Sequence, residues 1–162
     1  MTKTVDAAKA AYAPLDLATL DTEVASDKGA RIEILHPVAG SVGVFITLLG
    51  KHSQVFRDIV RDRINRKVRE KANADRRGKA AELPTAEANE AEAIELLVAC
   101  TLGWDTEVRD SKGEIIEAKP TLFFGGEELA FSVPNAFKVY KTIWVREGVD
   151  EAIGDLENFM QA

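Results

Sequence analysis

Apolar and polar residues alternate in the first third of the chain, which is the spacing of a β-strand. Residues 31–35 (RIEIL) alternate, and a second β-rich run, 42–49 (VGVFITLL), follows His36 and Pro37 and ends at Gly50. Two such runs separated by turn-forming residues are typical of a β-hairpin. The pattern therefore predicts an N-terminal hairpin.

After Gly50 the spacing of the apolar residues changes to that of helices. Ser53 is a favourable N-cap, and the helix that follows is expected to reach about Asp75. Its apolar positions are Phe56, Ile59, Val60, Ile64 and Val68. A second helix is expected from the cap residue Thr85 to a close at Gly103 and Trp104. Its apolar positions are Ala91, Ile94, Leu97, Val98, Thr101 and Leu102. Two amphipathic helices with a short connector predict an antiparallel pair.

The remaining third of the chain combines β-like stretches with helical ones. Residues 106–109 and 114–118 flank a turn-forming segment, 110–113 (DSKG), which predicts an exposed hairpin or a long loop. Ser132 is expected to cap a helix that runs to Trp144. A last helix would carry Val149, Ile153, Leu156 and Met160. The whole pattern predicts a mainly helical α+β fold: an N-terminal β-hairpin, a long antiparallel helix pair, an exposed hairpin or loop and two C-terminal helices.

The domain organisation follows from length and composition. With 162 residues, 46% of them hydrophobic, the chain is long enough to bury roughly two-thirds of its unfolded surface in one core. Residues 1–19 are Ala-rich without an apolar stripe, so we interpret them as a flexible N-terminal arm and 20–162 as a single domain. No apolar run approaches the 18 residues of a membrane span. The lone Cys100 lies in an apolar run and is expected to be a small buried residue.

The charges are unevenly distributed along the chain. Between Lys51 and Lys79, eleven Lys and Arg residues stand against four acids, a local balance of +7. Because the net charge of the whole chain is -6, the residues outside this segment carry a net charge of -13. Charge runs on helices are most often solvated faces, yet this segregation favours pairing between copies or with a charged partner.

The histidines and the Gly50-Lys51 pair do not form a recognisable catalytic or cofactor-binding motif. His36 and His52 have no ligand-type partner at helical spacing. The pair Gly50-Lys51 resembles the end of a phosphate-binding loop, but that loop requires Gly where Phe45 stands and a hydroxyl residue at position 52. We expect neither an enzyme nor a bound metal or cofactor. Nucleic acid is disfavoured as a partner, because the basic stretch has no stacking aromatic beyond Phe56 and the chain is acidic overall.

Two groups of residues are candidates for binding a protein partner. The first comprises arginines on the outer face of the long helix, Arg57, Arg61, Arg66 and Arg69. The second is the pair Phe123 and Phe124 beside two glycines, which is more apolar than a surface loop requires. Core packing and partner binding both remain open for this pair.

Five segments in a fixed order resemble a known family. They are 49–57 (LGKHSQVFR), 95–104 (ELLVACTLGW), 131–136 (FSVPNA), 144–147 (WVRE) and 155–159 (DLENF). In this order they resemble the tail assembly chaperones of long-tailed, siphovirus-type bacteriophages, over about residues 20–160. The insert 105–120 departs from the family pattern.

The resemblance implies a function and a set of partners. A protein of this family would bind the tape-measure protein and keep it soluble in the host cytoplasm, would form homo-oligomers and would be absent from the mature virion. Relatives are often made in two forms, and the longer, frameshifted one would recruit tail tube protein; a chain ending at Ala162 corresponds to the short form. The alternative is a permanent structural or adaptor protein of the phage head or tail.

Overall fold

The computed structural model describes residues 14–160. Most of the predicted N-terminal arm, residues 1–13, lies outside the described residues. The arm's last residues include a short 3₁₀ helix, Leu17–Leu20, which Asp16 caps. The helices that follow are α1 (Thr22–Lys28), α2 (Gln54–Arg76), α3 (Ala86–Ala99), α4 (Val133–Tyr140), α5 (Ile143–Gly154) and α6 (Glu157–Met160). The strands are β1 (Ala30–Glu33), β2 (Val44–Leu48), β3 (Thr101–Arg109), β4 (Ile115–Lys119), β5 (Thr121–Phe124) and β6 (Glu127–Ala130).

The strands form a four-stranded antiparallel sheet and a separate hairpin. The order in the sheet is β1-β2-β3-β4, and β5 pairs with β6. The pair β1-β2 is the predicted N-terminal hairpin. Ile46 on β2 lies opposite both Ile32 and Trp104, so these three side chains share the face that is turned to the core. The segment 105–130, predicted as a hairpin or loop, forms the distal part of β3 with β4, followed by the β5-β6 hairpin.

The prediction that Gly103 and Trp104 close a helix was wrong. The helix α3 ends at Ala99, and Cys100 is its C-cap. From Thr101 onward the chain continues as β3, in which Thr101 and Trp104 are the buried residues, and Trp104 lies opposite Ile46 in the sheet. The two buried residues are three apart because the pairing of β2 with β3 contains a register shift beside Thr101. A short apolar run cannot be assigned to helix or strand from spacing alone, because both geometries bury it equally well.

The predicted antiparallel helix pair is confirmed as α2 and α3. The Ser53 hydroxyl accepts a hydrogen bond from the Phe56 amide at 3.2 Å, and the Thr85 hydroxyl accepts one from the Ala88 amide at 3.1 Å. Each cap satisfies a backbone donor that the first turn of a helix leaves free. Both predicted N-caps therefore start their helices.

The two predicted C-terminal helices are α4 and α5, with the single turn α6 after them. Ser132 caps α4 as predicted. The boundary between α4 and α5 differs from the prediction, because Thr142 leaves the helical conformation (φ -72°, ψ 117°) and α5 begins at Ile143. Trp144 is therefore in the first turn of α5 and not at the end of a helix.

The core lies between the inner face of the sheet and the helices α3 to α6. Its fully or almost fully buried side chains include Ile46, Leu48, Leu97, Tyr140, Val149 and Ile153. Cys100 is fully buried, as expected, and burial raises the pKa of its thiol to about 11. The buried Tyr140 hydroxyl lies 2.6 Å from the Thr101 hydroxyl, which donates to the Leu97 carbonyl. In the part of the chain that the structure describes, no helix is long and apolar enough to cross a membrane.

Candidate partner-binding surfaces

The first resemblance segment, 49–57, joins the sheet to the start of α2. The Gly50 amide donates to the Ser26 carbonyl at 3.1 Å, and a Cβ on Gly50 would meet the Ser26 side chain and the Phe159 ring. Asp27 of α1 accepts a hydrogen bond from the Gln54 amide at 2.7 Å and so adds a second cap to α2. These residues therefore hold α1 against the base of the long helix.

The other resemblance segments also contribute to the fold. The Trp104 indole donates to the Leu129 carbonyl at 2.9 Å, and its ring lies edge-on to Phe131 at 5.2 Å. The Asn135 amide group donates to the Ala130 carbonyl at 2.9 Å. Near the C-terminus, the Asn158 side chain donates to the Ala152 carbonyl and Phe159 is buried. Partner binding is therefore to be sought outside these residues.

The long helix α2 is the most exposed regular element that could bind a partner. None of its 23 residues is buried. The α2 stripe, defined as Ile64 and Val68, is 55% and 62% exposed on a surface that the chain itself leaves uncovered. Arg61, Lys67 and Lys71 lie three or four positions from these residues and therefore flank them on the same side of the helix.

The four candidate arginines of α2 have different surroundings. Arg66 forms an ion pair with Glu92 of α3 at 2.5 Å, and Arg57 lies 3.4 Å from Glu23 of α1. Arg61 pairs with Asp58 on its own helix at 3.2 Å. Arg69 forms no ion pair with any described residue. Arg66 therefore stabilises the helix pair, whereas Arg69 is available to a partner.

Several other cations of this region resemble Arg69. Within residues 14–160, no acidic side chain forms an ion pair with the following residues: Lys67, Lys71, Arg76, Arg77 and Lys79. Beside them, a shallow groove of about 360 Å³ runs between α2 and α3, lined by Ile59, Asp62, Arg63, Arg66 and Glu95. The groove is small, and both of its arginines already form ion pairs with acids of α3, Arg63 with Glu95 and Arg66 with Glu92.

The two phenylalanines of β5 point in opposite directions. Phe124 packs against the core, whereas Phe123 is 74% exposed. Alternation along a strand places neighbouring side chains on opposite faces, which explains the split. The preceding strand β4 is exposed along its whole length, including Ile115 and Ile116. We call the exposed face of the β5-β6 hairpin, with Phe123, the hairpin surface.

An acidic surface that sequence reasoning missed covers α5 and α6. Ile143, Glu147, Asp150 and Glu151 are all exposed, and their spacing places them on one face of α5. The opposite face contains the buried residues Val145, Val149, Ala152 and Ile153. Asp155 and Glu157 continue the acidic surface, and residues 147–160 contain no Lys or Arg. The signal was visible in the sequence as acids between the apolar positions of this helix.

The two histidines take part in local contacts. The His36 ring accepts hydrogen bonds from the Val38 and Ala39 amides and lies edge-on to Trp144 at 4.9 Å. The His52 ring is 2.7 Å from the Thr22 hydroxyl. Among the described residues, no group of three His, Cys, Asp or Glu side chains is placed to hold a metal ion.

A charged network occupies the face of the sheet that points away from the core. Arg31 reaches Asp105 at 2.5 Å and Glu107 at 2.6 Å, and its guanidinium lies 3.7 Å from the centre of the Phe45 ring. Arg109 also contacts Glu107, at 3.0 Å. Hydrogen bonds from Arg31 and then from Arg109 hold the pKa of Glu107 below its usual range. The network joins β1 to β3 across β2.

Acid should weaken this network. Because the folded-state pKa of Glu107 lies below the unfolded value, its stabilising effect is complete above the ordinary Glu pKa of about 4.3 and is lost as the pH falls through the lower, folded value. Glu107→Gln should therefore have a lower melting temperature than the wild type at about pH 7. The difference between the two melting temperatures should narrow by about pH 3. Thermal melts of both proteins check this, and a gap that stays constant over the range would contradict it.

Comparisons of the chain with protein families, with curated proteins and with solved structures give no match in any of the three.

Proposed function

We propose that this protein is a tail assembly chaperone of a long-tailed bacteriophage. In this role it binds the tape-measure protein, keeps it soluble in the host cytoplasm and helps to recruit tail tube subunits while the tail is built. It acts by binding alone, without catalysis and without a cofactor, and it leaves before the particle is complete.

One structural observation carries the proposal. Residues of the resemblance segments such as Ser53, Trp104 and Phe159 build the core and the helix caps, while large apolar side chains remain exposed on the α2 stripe and on the hairpin surface. Ile64 and Val68 are one helical turn apart and so form a contiguous exposed apolar strip, and contiguous apolar patches mark surfaces that bind other proteins. A long helical tape-measure chain exposes apolar seams of its own, and these would aggregate unless they are covered.

The hairpin surface is the part that we assign to the client. Phe123 projects from a β-hairpin whose other face is fixed to the core by Leu122 and Leu129, so the ring is presented on a rigid support. An aromatic side chain supplies a large contact area at small entropic cost. The affinity of each contact should be moderate, because tube subunits must displace the chaperone from its client. Many such contacts along one client still give a high overall affinity.

Removal of the exposed ring tests this assignment. Phe123→Ser should leave the melting temperature within about a degree of the wild type, since exposed substitutions usually change stability by less than about 0.5 kcal/mol. It should lower recovery of the tape-measure protein in a pull-down from co-expressing cells several-fold. The control is Val38→Ser, which removes an exposed apolar side chain from the connection between β1 and β2. Equal recovery with both variants would exclude the hairpin surface as the client site.

Mass spectrometry of purified particles separates the proposal from the alternative of a permanent virion component. The chaperone should be present in the infected-cell lysate and absent from the particles. A stoichiometric amount in the particles would instead support a structural or adaptor protein of the head or tail.

A further inference from the structure

The charge segregation of the sequence persists on the folded surface. Six basic side chains at and beyond the middle of α2 have no ion-pair partner among residues 14–160: Lys67, Arg69, Lys71, Arg76, Arg77 and Lys79. The acidic surface of α5 and α6 has five carboxylates that likewise form no ion pair with a described residue. The two sets are opposite in sign and nearly equal in number, and they do not neutralise each other within one molecule.

Each of these two surfaces also includes apolar side chains. On α2, Lys67 and Lys71 lie on the same side of the helix as the exposed Ile64 and Val68 and flank them. On α5 the acids share their face with Ile143, which is 61% exposed and lies four positions before Glu147. A contact between the faces would therefore bury apolar residues in its centre and leave charges at its edge. Stable interfaces between proteins commonly have this arrangement.

We propose that α2 of one copy docks on the outer face of α5 and α6 of a second copy. The occupant is a copy of the same chain, because the acidic face of that chain is opposite in charge to the cations and nearly equal to them in number. Pairing α2 with α2 would place cations against cations, and like charges oppose such contacts. The two docking faces are different, so the association is head-to-tail and can extend into a ring or a filament.

This inference goes beyond the proposed function and does not depend on the identity of the client. A head-to-tail row of copies would nevertheless suit a client that is much longer than one domain. The hairpin surface belongs to other elements than α2, α5 and α6, so it remains available in such a row.

Charge reversal on either face tests the contact. We expect the wild type to self-associate in sedimentation experiments at low salt and to dissociate as salt rises, since screening shortens to about 3 Å at 1 M. Lys67→Glu with Lys71→Glu should weaken self-association about tenfold or more, because two attractive contacts become repulsive. Glu147→Lys with Glu151→Lys should do the same from the other side. Arg66 is left unchanged, because it stabilises the helix pair through Glu92.

Combining the charge reversals of both faces in one chain makes the test specific. A chain carrying all four reversals has its charges exchanged between the faces and should regain most of the association. The control, Lys112→Glu with Lys138→Glu, changes the net charge of the chain as much as the α2 variant does, at exposed positions elsewhere, and should associate like the wild type. Circular dichroism confirms that each variant is folded.

Three outcomes would overturn the proposal. A wild type that stays monomeric at all concentrations in low salt would exclude it. So would equal association of all variants, or equal weakening by the control. Because Phe123 lies outside both faces, loss of client binding in Phe123→Ser with unchanged self-association would separate the two proposals. A failure of self-association alone would leave the client assignment standing.

Discussion

Replacing Trp104 by Ala should cost about 3–5 kcal/mol of folding free energy, the range found when large aromatic side chains are removed from cores. Trp104 is only 5% exposed, is surrounded by strands of both sheets and donates a hydrogen bond to the Leu129 carbonyl. Its loss would leave a large cavity and an unpaired carbonyl group. Since domains are stable by about 5–15 kcal/mol, the variant should lose a large share of its stability and its denaturation midpoint should fall markedly.

Chemical denaturation followed by circular dichroism measures this cost. The natural control is Trp144→Ala, because Trp144 is only partly buried and packs at the edge of the core against His36. It should cost clearly less than the Trp104 change. If both variants had the same midpoint as the wild type, the central position of β3 in the sheet would be wrong.

Adding a single methyl group at Gly50 should also destabilise the protein. A Cβ there would lie 2.9 Å from the Ser26 Cβ and 3.1 Å from the Phe159 ring, in a region without free space. Overpacking of this kind typically costs about 1–3 kcal/mol. Gly50→Ala should therefore lower the denaturation midpoint.

A second substitution shows whether steric conflict is the cause. Ser26→Gly removes the side chain that the new methyl group would meet, at a helix-propensity cost of about 0.5–1 kcal/mol. The double variant should be more stable than the sum of the two single changes predicts. Strictly additive free energies of unfolding would show that the loss arises from another source.

Much of the fold could be predicted because the determining signals are local. Ser53, Thr85 and Ser132 each start a helix, since a side-chain oxygen satisfies backbone amides in the first turn. The alternation in 31–35 likewise corresponds to a real strand. Long helices with clear spacing, such as α2, are the easiest elements to predict.

Other features depend on contacts that spacing does not contain. The segment after Cys100 becomes a strand because β2 provides a partner for it, and this pairing spans more than fifty residues. The helix α1 was not predicted, and its role emerges only from the contacts of Ser26 and Asp27 with the base of α2.

Tertiary contacts also distinguish candidate residues that the sequence treats alike. The sequence gives no reason to distinguish Arg66 from Arg69 as a binding residue, yet only Arg66 forms an ion pair with Glu92. Phe123 and Phe124 were predicted as one pair, and the strand separates them into an exposed and a packed residue. Sequence spacing therefore groups the candidate residues, while tertiary contacts decide which of their side chains are exposed or unpaired.

The most direct measurement is the fraction of tape-measure protein that stays soluble when it is expressed with and without this chain. The two genes should come from the same phage, and both proteins should be quantified in total lysate and supernatant. Our proposal predicts that the tape-measure protein is mostly insoluble alone and mostly soluble in the presence of this chain, and that Phe123→Ser reduces the gain. An unchanged soluble fraction at equal expression would contradict the chaperone function.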